Sequence, residues 1–157
     1  LLKQQLVALF HKDVEVIEPE VETVPLASLS EQFPLQILIA EDNKVNRETI
    51  KAMCEKSNQT QIRTAENGKI CIEEVTLKRP DLILMDIQMP EINGVEATEI
   101  IRKMAGCGSI PIVGVTAYAF ASDIQNFMEK GMNEIITKPV KIGELRRILE
   151  KYSKKGQ

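Results

Sequence analysis

The stretch from Leu82 to Gly94, LILMDIQMPEING, constrains the fold of this chain more than any other. Leu82, Ile83, Leu84 and Met85 run without a polar break into Asp86, and Pro90 with Asn93-Gly94 then turns the chain into a loop. A half-exposed strand alternates apolar and polar residues, whereas a parallel strand covered on both faces is apolar throughout. The run therefore predicts a central parallel strand with Asp86 at its carboxyl end. In open parallel sheets that edge gathers ligands, because its loops vary while the strands hold them. A lone aspartate there is more often a turn cap. Its role depends on what else the chain brings to the same edge.

The remaining pattern alternates. Ile37 to Ala40 reads as a short buried strand ending in Glu41-Asp42-Asn43, and Val45 to Lys56 as a helix with Val45, Thr49, Ala52 and Met53 on one side. Thr60 to Ala65 is a second strand. Asn67-Gly68 caps a helix carrying Ile70, Cys71, Val75 and Leu77, which Pro80 stops. After the strand Asp81 to Asp86 comes a helix from Gly94 to Met104, presenting Val95, Ala97, Ile100, Ile101 and Met104 and broken by Gly106 and Gly108. Ile110 to Val115 leads as a fourth strand into Thr116, and a helix opens at Ser122 and closes at Gly131. Ile135-Ile136 is a short fifth strand running into Thr137-Lys138-Pro139, and Ile142, Leu145, Ile148 and Leu149 mark a last amphipathic helix. Strand and helix alternating at this spacing imply right-handed βαβ units in an α/β, doubly wound parallel sheet of three layers.

If the strands are parallel, their carboxyl ends deposit Glu41, Asp42, Asp86, Thr116 and Lys138 on one edge. Crowded carboxylates raise one another's pKa unless a cation compensates them. With only oxygen donors available, the cation favoured is a hard one such as Mg²⁺, which takes one or two carboxylates and leaves room for phosphate. Lys138 and Thr116 suit phosphate oxygens that need neutralising and hydrogen bonding. A carboxylate so placed can attack phosphorus and form an acyl phosphate.

Composition removes most competing chemistries. The formal net charge of −3 leaves no basic footprint for nucleic acid. No apolar run approaches the roughly 20 residues that span a bilayer, and no signal peptide is recognisable. The odd set Cys54, Cys71 and Cys107 forms no CxxC pair, and with the single histidine His11 it makes no zinc set and no Cys/His or Ser/His/Asp centre. The thiols read as reduced, with Cys54 and Cys71 turned to the core, which places the chain in the cytoplasm; a longer protein containing it can still be anchored in a membrane.

The motifs AEDNKVN, LMDIQMPEINGVEA, VTAYA and ITKP, in this order and spacing, resemble the receiver domain of two-component response regulators, most of all the C-terminal receiver of hybrid histidine kinases. The resemblance runs from about Gln36 to about Tyr152. It implies a flavodoxin-like fold with strand order 2-1-3-4-5 and Asp86 as phosphoacceptor. It further implies that Asp42, Asp86 and the backbone carbonyl of Gln88 ligate Mg²⁺, with Glu41 acting through a water. Thr116 would bind the phosphoryl group, and Lys138 would pair with it ahead of a peptide bond to Pro139 that in the family is commonly cis. The implied partner is a histidine-kinase dimerisation domain or a histidine phosphotransfer protein, met through the first helix and the loops around Asp86. A receiver of this kind catalyses its own phosphorylation and dephosphorylation.

Two positions depart from the family pattern. Ile135 stands three before the lysine, where the family usually has an aromatic that reports phosphorylation. Tyr118 stands two after Thr116, where hybrid-kinase receivers often carry a small amide, and it is placed to overhang the phosphate. Two rival functions compete with this reading. A phosphohydrolase using an Asp nucleophile usually has a second Asp two residues on, and here that residue is Gln88. A pseudo-receiver serving only for interaction typically lacks the acid pair, the acceptor or the lysine, all present here.

Ahead of the receiver, residues 1–12 read as an amphipathic helical segment with Leu2, Leu6, Leu9 and Phe10 on one face, the end of an upstream region. That face is available to dock downstream or to mediate a dimer. Residues 13–35 read as an acidic linker containing Pro19, Pro25 and Pro34, residues 36–153 as the receiver and 154–157 as a polar tail. Beginning at Leu1, the chain reads as a fragment, with any kinase core upstream.

Overall fold

A computed structural model describes residues 35–155. The expected helix over residues 1–12 and nearly all of the expected linker lie outside them. Among the described residues the order is β1 (Ile37–Ala40), α1 (Lys44–Lys56), β2 (Ile62–Ala65), α2 (Gly68–Leu77), β3 (Leu82–Asp86), α3 (Gly94–Lys103), β4 (Ile112–Thr116), α4 (Ala121–Glu129), β5 (Glu134–Thr137) and α5 (Ile142–Lys155). The strands form one sheet, every neighbouring pair parallel, in the order β2-β1-β3-β4-β5. This is the doubly wound arrangement that the alternation implied.

The sheet divides the core by strand parity. Leu38, Ala40, Ile83, Met85 and Ile112 face one layer, where Cys71 and Val75 of α2 and Ala97 and Ile101 of α3 cover them. Ile37, Ile39, Leu82, Leu84, Val113 and Val115 face the other, against Ile50 and Cys54 of α1 and Leu145, Ile148 and Leu149 of α5. Because both parities are buried, β1, β3 and β4 are apolar from end to end. Each fully buried Leu or Ile contributes about 2–3 kcal/mol relative to an exposed one.

Helix starts follow side-chain chemistry. Asn43, Asn67 and Asn93 cap α1, α2 and α3, each accepting from a backbone N–H of the first turn, and Asn93 with Glu96 forms a full capping box. The three thiols are free and buried. Burial, with help from Glu55 and Glu74 respectively, pushes Cys54 and Cys71 up to about 12, so neither is a nucleophile at neutral pH.

Two expectations about helix faces change. On α1 the side carrying Val45, Thr49 and Ala52 faces solvent, with Met53 half-buried at its margin, while Ile50 and Cys54 enter the core. Leu77, expected on the inner face of α2, ends that helix 77% exposed. Strand limits shift by a residue or two: β2 starts at Ile62 and β5 extends over Glu134–Thr137.

Candidate functional site

Register explains why distant acids meet. Ala40 of β1 lies opposite Met85 of β3, so the next residues, Glu41 and Asp86, leave the sheet side by side. Asp86 lies opposite Val115, which brings Thr116 to the same edge, and Thr137 lies opposite Thr116, so Lys138 emerges just beyond. Carboxylate oxygens of Glu41, Asp42 and Asp86 all fall within 4.8 Å of one another. Glu41 and Asp86 are buried, at 1% and 3% exposure, and Asp42 is exposed at the mouth.

Lys138 closes the group. Its Nζ lies 3.1 Å from Asp86 Oδ1 and 3.2 Å from Glu41 Oε2, and its backbone N–H donates to the Thr116 carbonyl at 2.8 Å. The Lys138–Pro139 bond is cis. Glu41 Oε1 accepts from the Asn43 N–H at 3.0 Å, and the Arg47 guanidinium donates to the carbonyls of Glu41 (2.8 Å) and Asp42 (3.3 Å), which fixes the acidic turn from below. The Gln88 N–H donates to Asp86 Oδ1 at 3.3 Å. The loop between them is held by Gly94, whose N–H donates to the Ile87 carbonyl at 2.9 Å. A Cβ on Gly94 would fall 2.1 Å from the Asp86 carbonyl oxygen, so only glycine allows α3 to start this close to the acid.

The electrostatics are unbalanced. Burial first, and the charge of Glu41 second, push the Asp86 carboxyl up to about 7 against the pull of Lys138. Burial works to lower the Lys138 ammonium, but its hydrogen bond and charge contacts with Asp86 and Glu41 outweigh it and raise it. Glu41 Oε2 is fully buried and makes no hydrogen bond of good geometry beyond this ion pair. Three carboxylates set against one ammonium, with only oxygen donors and one buried oxygen under-satisfied, fit a hard divalent cation.

Of the residues expected at this edge, Glu41, Asp42, Asp86 and Lys138 come together. Thr116 stands at the end of β4, with its Oγ1 accepting from the Tyr118 N–H at 3.1 Å and donating to the Tyr118 carbonyl at 3.0 Å. The Gln88 side chain faces solvent. The Tyr118 residue is 60% exposed. Ile135 turns inward and packs with the cluster that contains Ile87 and Met132. Arg47 was not foreseen. Its signal is a basic residue one helical turn past an acid pair, placed to reach back over it.

The sequence profile of the response regulator receiver domain matches residues 37–150. The chain belongs to this family. The polar-differentiation response regulator DivK of Brucella anthropi is 34% identical over 120 residues, covering 76% of this chain and 97% of DivK. The osmosensing histidine protein kinase SLN1 of Saccharomyces cerevisiae is 38% identical over 123 residues, which cover 75% of this chain and only 10% of SLN1. Among solved structures, the receiver domain of the sensor histidine kinase PA1611 from Pseudomonas aeruginosa PAO1 has a magnesium ion coordinated in its active site cleft. It is 34% identical with a TM-score of 0.71, covering 77% of this chain and 98% of that one. The receiver domain of Ssk1, solved in complex with the Saccharomyces cerevisiae histidine phosphotransfer protein Ypd1, is 25% identical with a TM-score of 0.72, covering 79% of this chain and 92% of the match. As a two-component receiver, the chain has relatives both in stand-alone regulators and in hybrid kinases. No helix of the described receiver is long and apolar enough to cross a membrane.

Proposed function

We propose that Asp86 accepts a phosphoryl group from a histidine of a partner protein and passes on or hydrolyses it. The observation that carries this reading is the single ammonium of Lys138 held 3.1 Å from Asp86 Oδ1 at the centre of a three-carboxylate cluster. An oxygen of the ionised Asp86 attacks phosphorus, the P–O bond forms as the P–N bond breaks, and the histidine nitrogen keeps the electron pair. Lys138 neutralises charge that gathers on the phosphoryl oxygens. Thr116 exchanges its contact with Tyr118 for one of those oxygens.

Asp42, Asp86 and the Gln88 carbonyl would hold Mg²⁺, with Glu41 reaching it through a water. When bound, the ion supplies the positive charge that Lys138 alone does not. Gln88 offers no acid to protonate a leaving group, which favours phosphotransfer over a phosphohydrolase. The partner meets the edge where Val45, Asn46 and Thr49 stand. There a cleft of about 280 Å³, lined by Asn46, Thr49, Ile50, Pro139 and Val140, opens beside Lys138 and Glu41 and accommodates one side chain of the partner.

Incubation with Mg²⁺ and a small acyl-phosphate donor, read by mass spectrometry, tests the assignment. Phosphate should add to the wild type and not to Asp86→Asn. Equal labelling of both removes Asp86 as acceptor.

A further inference from the structure

Two of the three clustered carboxylates, Glu41 and Asp42, are consecutive residues on the turn between β1 and α1. Like charges crowded in this way relax, in the absence of a cation, by swinging an acid out to water, and a turn yields more readily than a strand. Yet Glu41 stays buried, with its Oε2 lacking a hydrogen bond of good geometry. The turn itself is therefore held against the repulsion.

Arg47, at the end of the first turn of α1, reaches back over it. One nitrogen of its guanidinium donates to the Glu41 carbonyl at 2.8 Å and to the Asp42 carbonyl at 3.3 Å. Two successive carbonyls drawn to one nitrogen set both peptide planes, and the planes set where the Glu41 and Asp42 side chains leave the backbone. The clamp is anchored on the helix, because the Arg47 N–H donates to the Asn43 carbonyl at 2.9 Å. Around it the Glu41 N–H donates to the Ala65 carbonyl at 3.0 Å, the Asn43 N–H to Glu41 Oε1 at 3.0 Å and the Asn46 N–H to Asn43 Oδ1 at 2.9 Å. A lysine in place of Arg47 carries the same charge, but its ammonium ends one bond short of this nitrogen.

We infer that Arg47 is a positioning residue of the cation site, holding Glu41 and Asp42 through their backbone carbonyls in the arrangement that receives Mg²⁺. The inference rests on the reading of this cluster as a Mg²⁺ site and not on phosphotransfer. Charge alone makes the opposite prediction, because a guanidinium beside the acids repels a dication. Its removal would then tighten binding, and lysine in its place would leave binding as it was. Loss of positioning weakens binding in both cases, as it does when other groups that orient metal ligands from behind are removed.

Titration calorimetry of the full chain with Mg²⁺ tests this on Arg47→Lys and Arg47→Met. Both variants should bind Mg²⁺ about tenfold more weakly than the wild type. Wild-type affinity in Arg47→Lys, or unchanged or tighter binding in Arg47→Met, overturns the inference. In a second measurement, made in chelator, amide hydrogen exchange follows two N–H groups. That of Asn43 reports the Glu41 carboxylate through its bond to Oε1, and that of Asn46 reports the cap of α1. In both variants the Asn43 amide should exchange about fivefold faster while the Asn46 amide keeps its rate. An unchanged Asn43 rate overturns the inference, and so does equal acceleration of the two, which marks a frayed helix. Acyl-phosphate labelling of the same samples separates the readings: a wild type that binds Mg²⁺ but takes no label removes Asp86 as phosphoacceptor and leaves Arg47 in its role, whereas a wild type that binds no Mg²⁺ overturns the inference.

Discussion

Lys138 Nζ stands 3.1 Å from Asp86 Oδ1 across the end of β4, and the same ammonium touches Glu41. Removing it strands two buried carboxylates. Lys138→Met should lower stability in chelator by about 1–3 kcal/mol and slow acyl-phosphate labelling by about 10²-fold. Urea denaturation and timed mass spectrometry read both. Labelling at the wild-type rate would show that Lys138 is dispensable.

The pH dependence of this domain should run opposite to that of an ordinary carboxylate protein. Asp86 is raised from 3.8 to about 7 by burial and then by Glu41, so between about pH 4 and 7 the folded state holds a proton that the unfolded state has lost. Its contribution is full below pH 4 and disappears as pH rises to 7. The raised Lys138 titrates far above this window and leaves the sign unchanged. In chelator, the Asp86 contribution should fall by about 4 kcal/mol across the window, and Asp86→Asn should flatten the curve. A slope equal in both proteins contradicts the assignment.

At pH 8 the same imbalance becomes a demand for cation. Mg²⁺ should raise the melting temperature of the wild type in a concentration-dependent way, because it binds only the folded cluster. Asp42→Asn with Asp86→Asn should abolish the response. A thermal shift that persists in the double variant places the ion elsewhere.

Thr116 Oγ1 shares two hydrogen bonds with the backbone of Tyr118, which holds that residue next to the hydroxyl proposed to bind the phosphoryl group. On the proposed reading of the site, the exposed Tyr118 side chain beside Thr116 restricts the water that attacks the acyl phosphate. Tyr118→Ala should shorten the lifetime of the acyl phosphate by roughly two- to tenfold. An unchanged decay rate would reduce Tyr118 to surface packing.

Two glycines differ in what their substitution meets. At Gly94 a Cβ strikes the rigid Asp86 carbonyl at 2.1 Å, whereas at Gly114 it meets the mobile ends of Met132 (2.6 Å) and Ile135 (2.8 Å). Gly94→Ala should cost more than about 3 kcal/mol, and Gly114→Ala about 1–2 kcal/mol, part of it recovered by Ile135→Val. Denaturant midpoints distinguish the two.

The sheet and its chemistry were legible for one physical reason: β1, β3 and β4 are buried on both faces, and such strands announce themselves as apolar runs ending in a polar residue. Where burial is partial the signal degrades. Strands β2 and β5 at the sheet edges carry Arg63, Thr64 and Glu134, and their limits were misjudged. Helix α1 is less legible, since its fully buried side chains are only Ile50 and Cys54, Met53 packs on the core from the margin, and its solvent side carries Val45 and Ala52. That Glu41, Asp42, Asp86 and Lys138 meet at one edge follows from the strand ends, but the part of Arg47 does not. Arg47 acts through two backbone carbonyls, so its only mark in the sequence is a basic residue one helical turn past the acid pair.

The ion pair between Glu41 and Lys138 joins the first strand–helix connection to the last. No contiguous fragment of the chain that omits either end of the sheet holds both charges. The acid cluster and its ammonium therefore come together only when β1 and β5 both stand in the sheet, which makes this pair a report on the assembly of the whole domain.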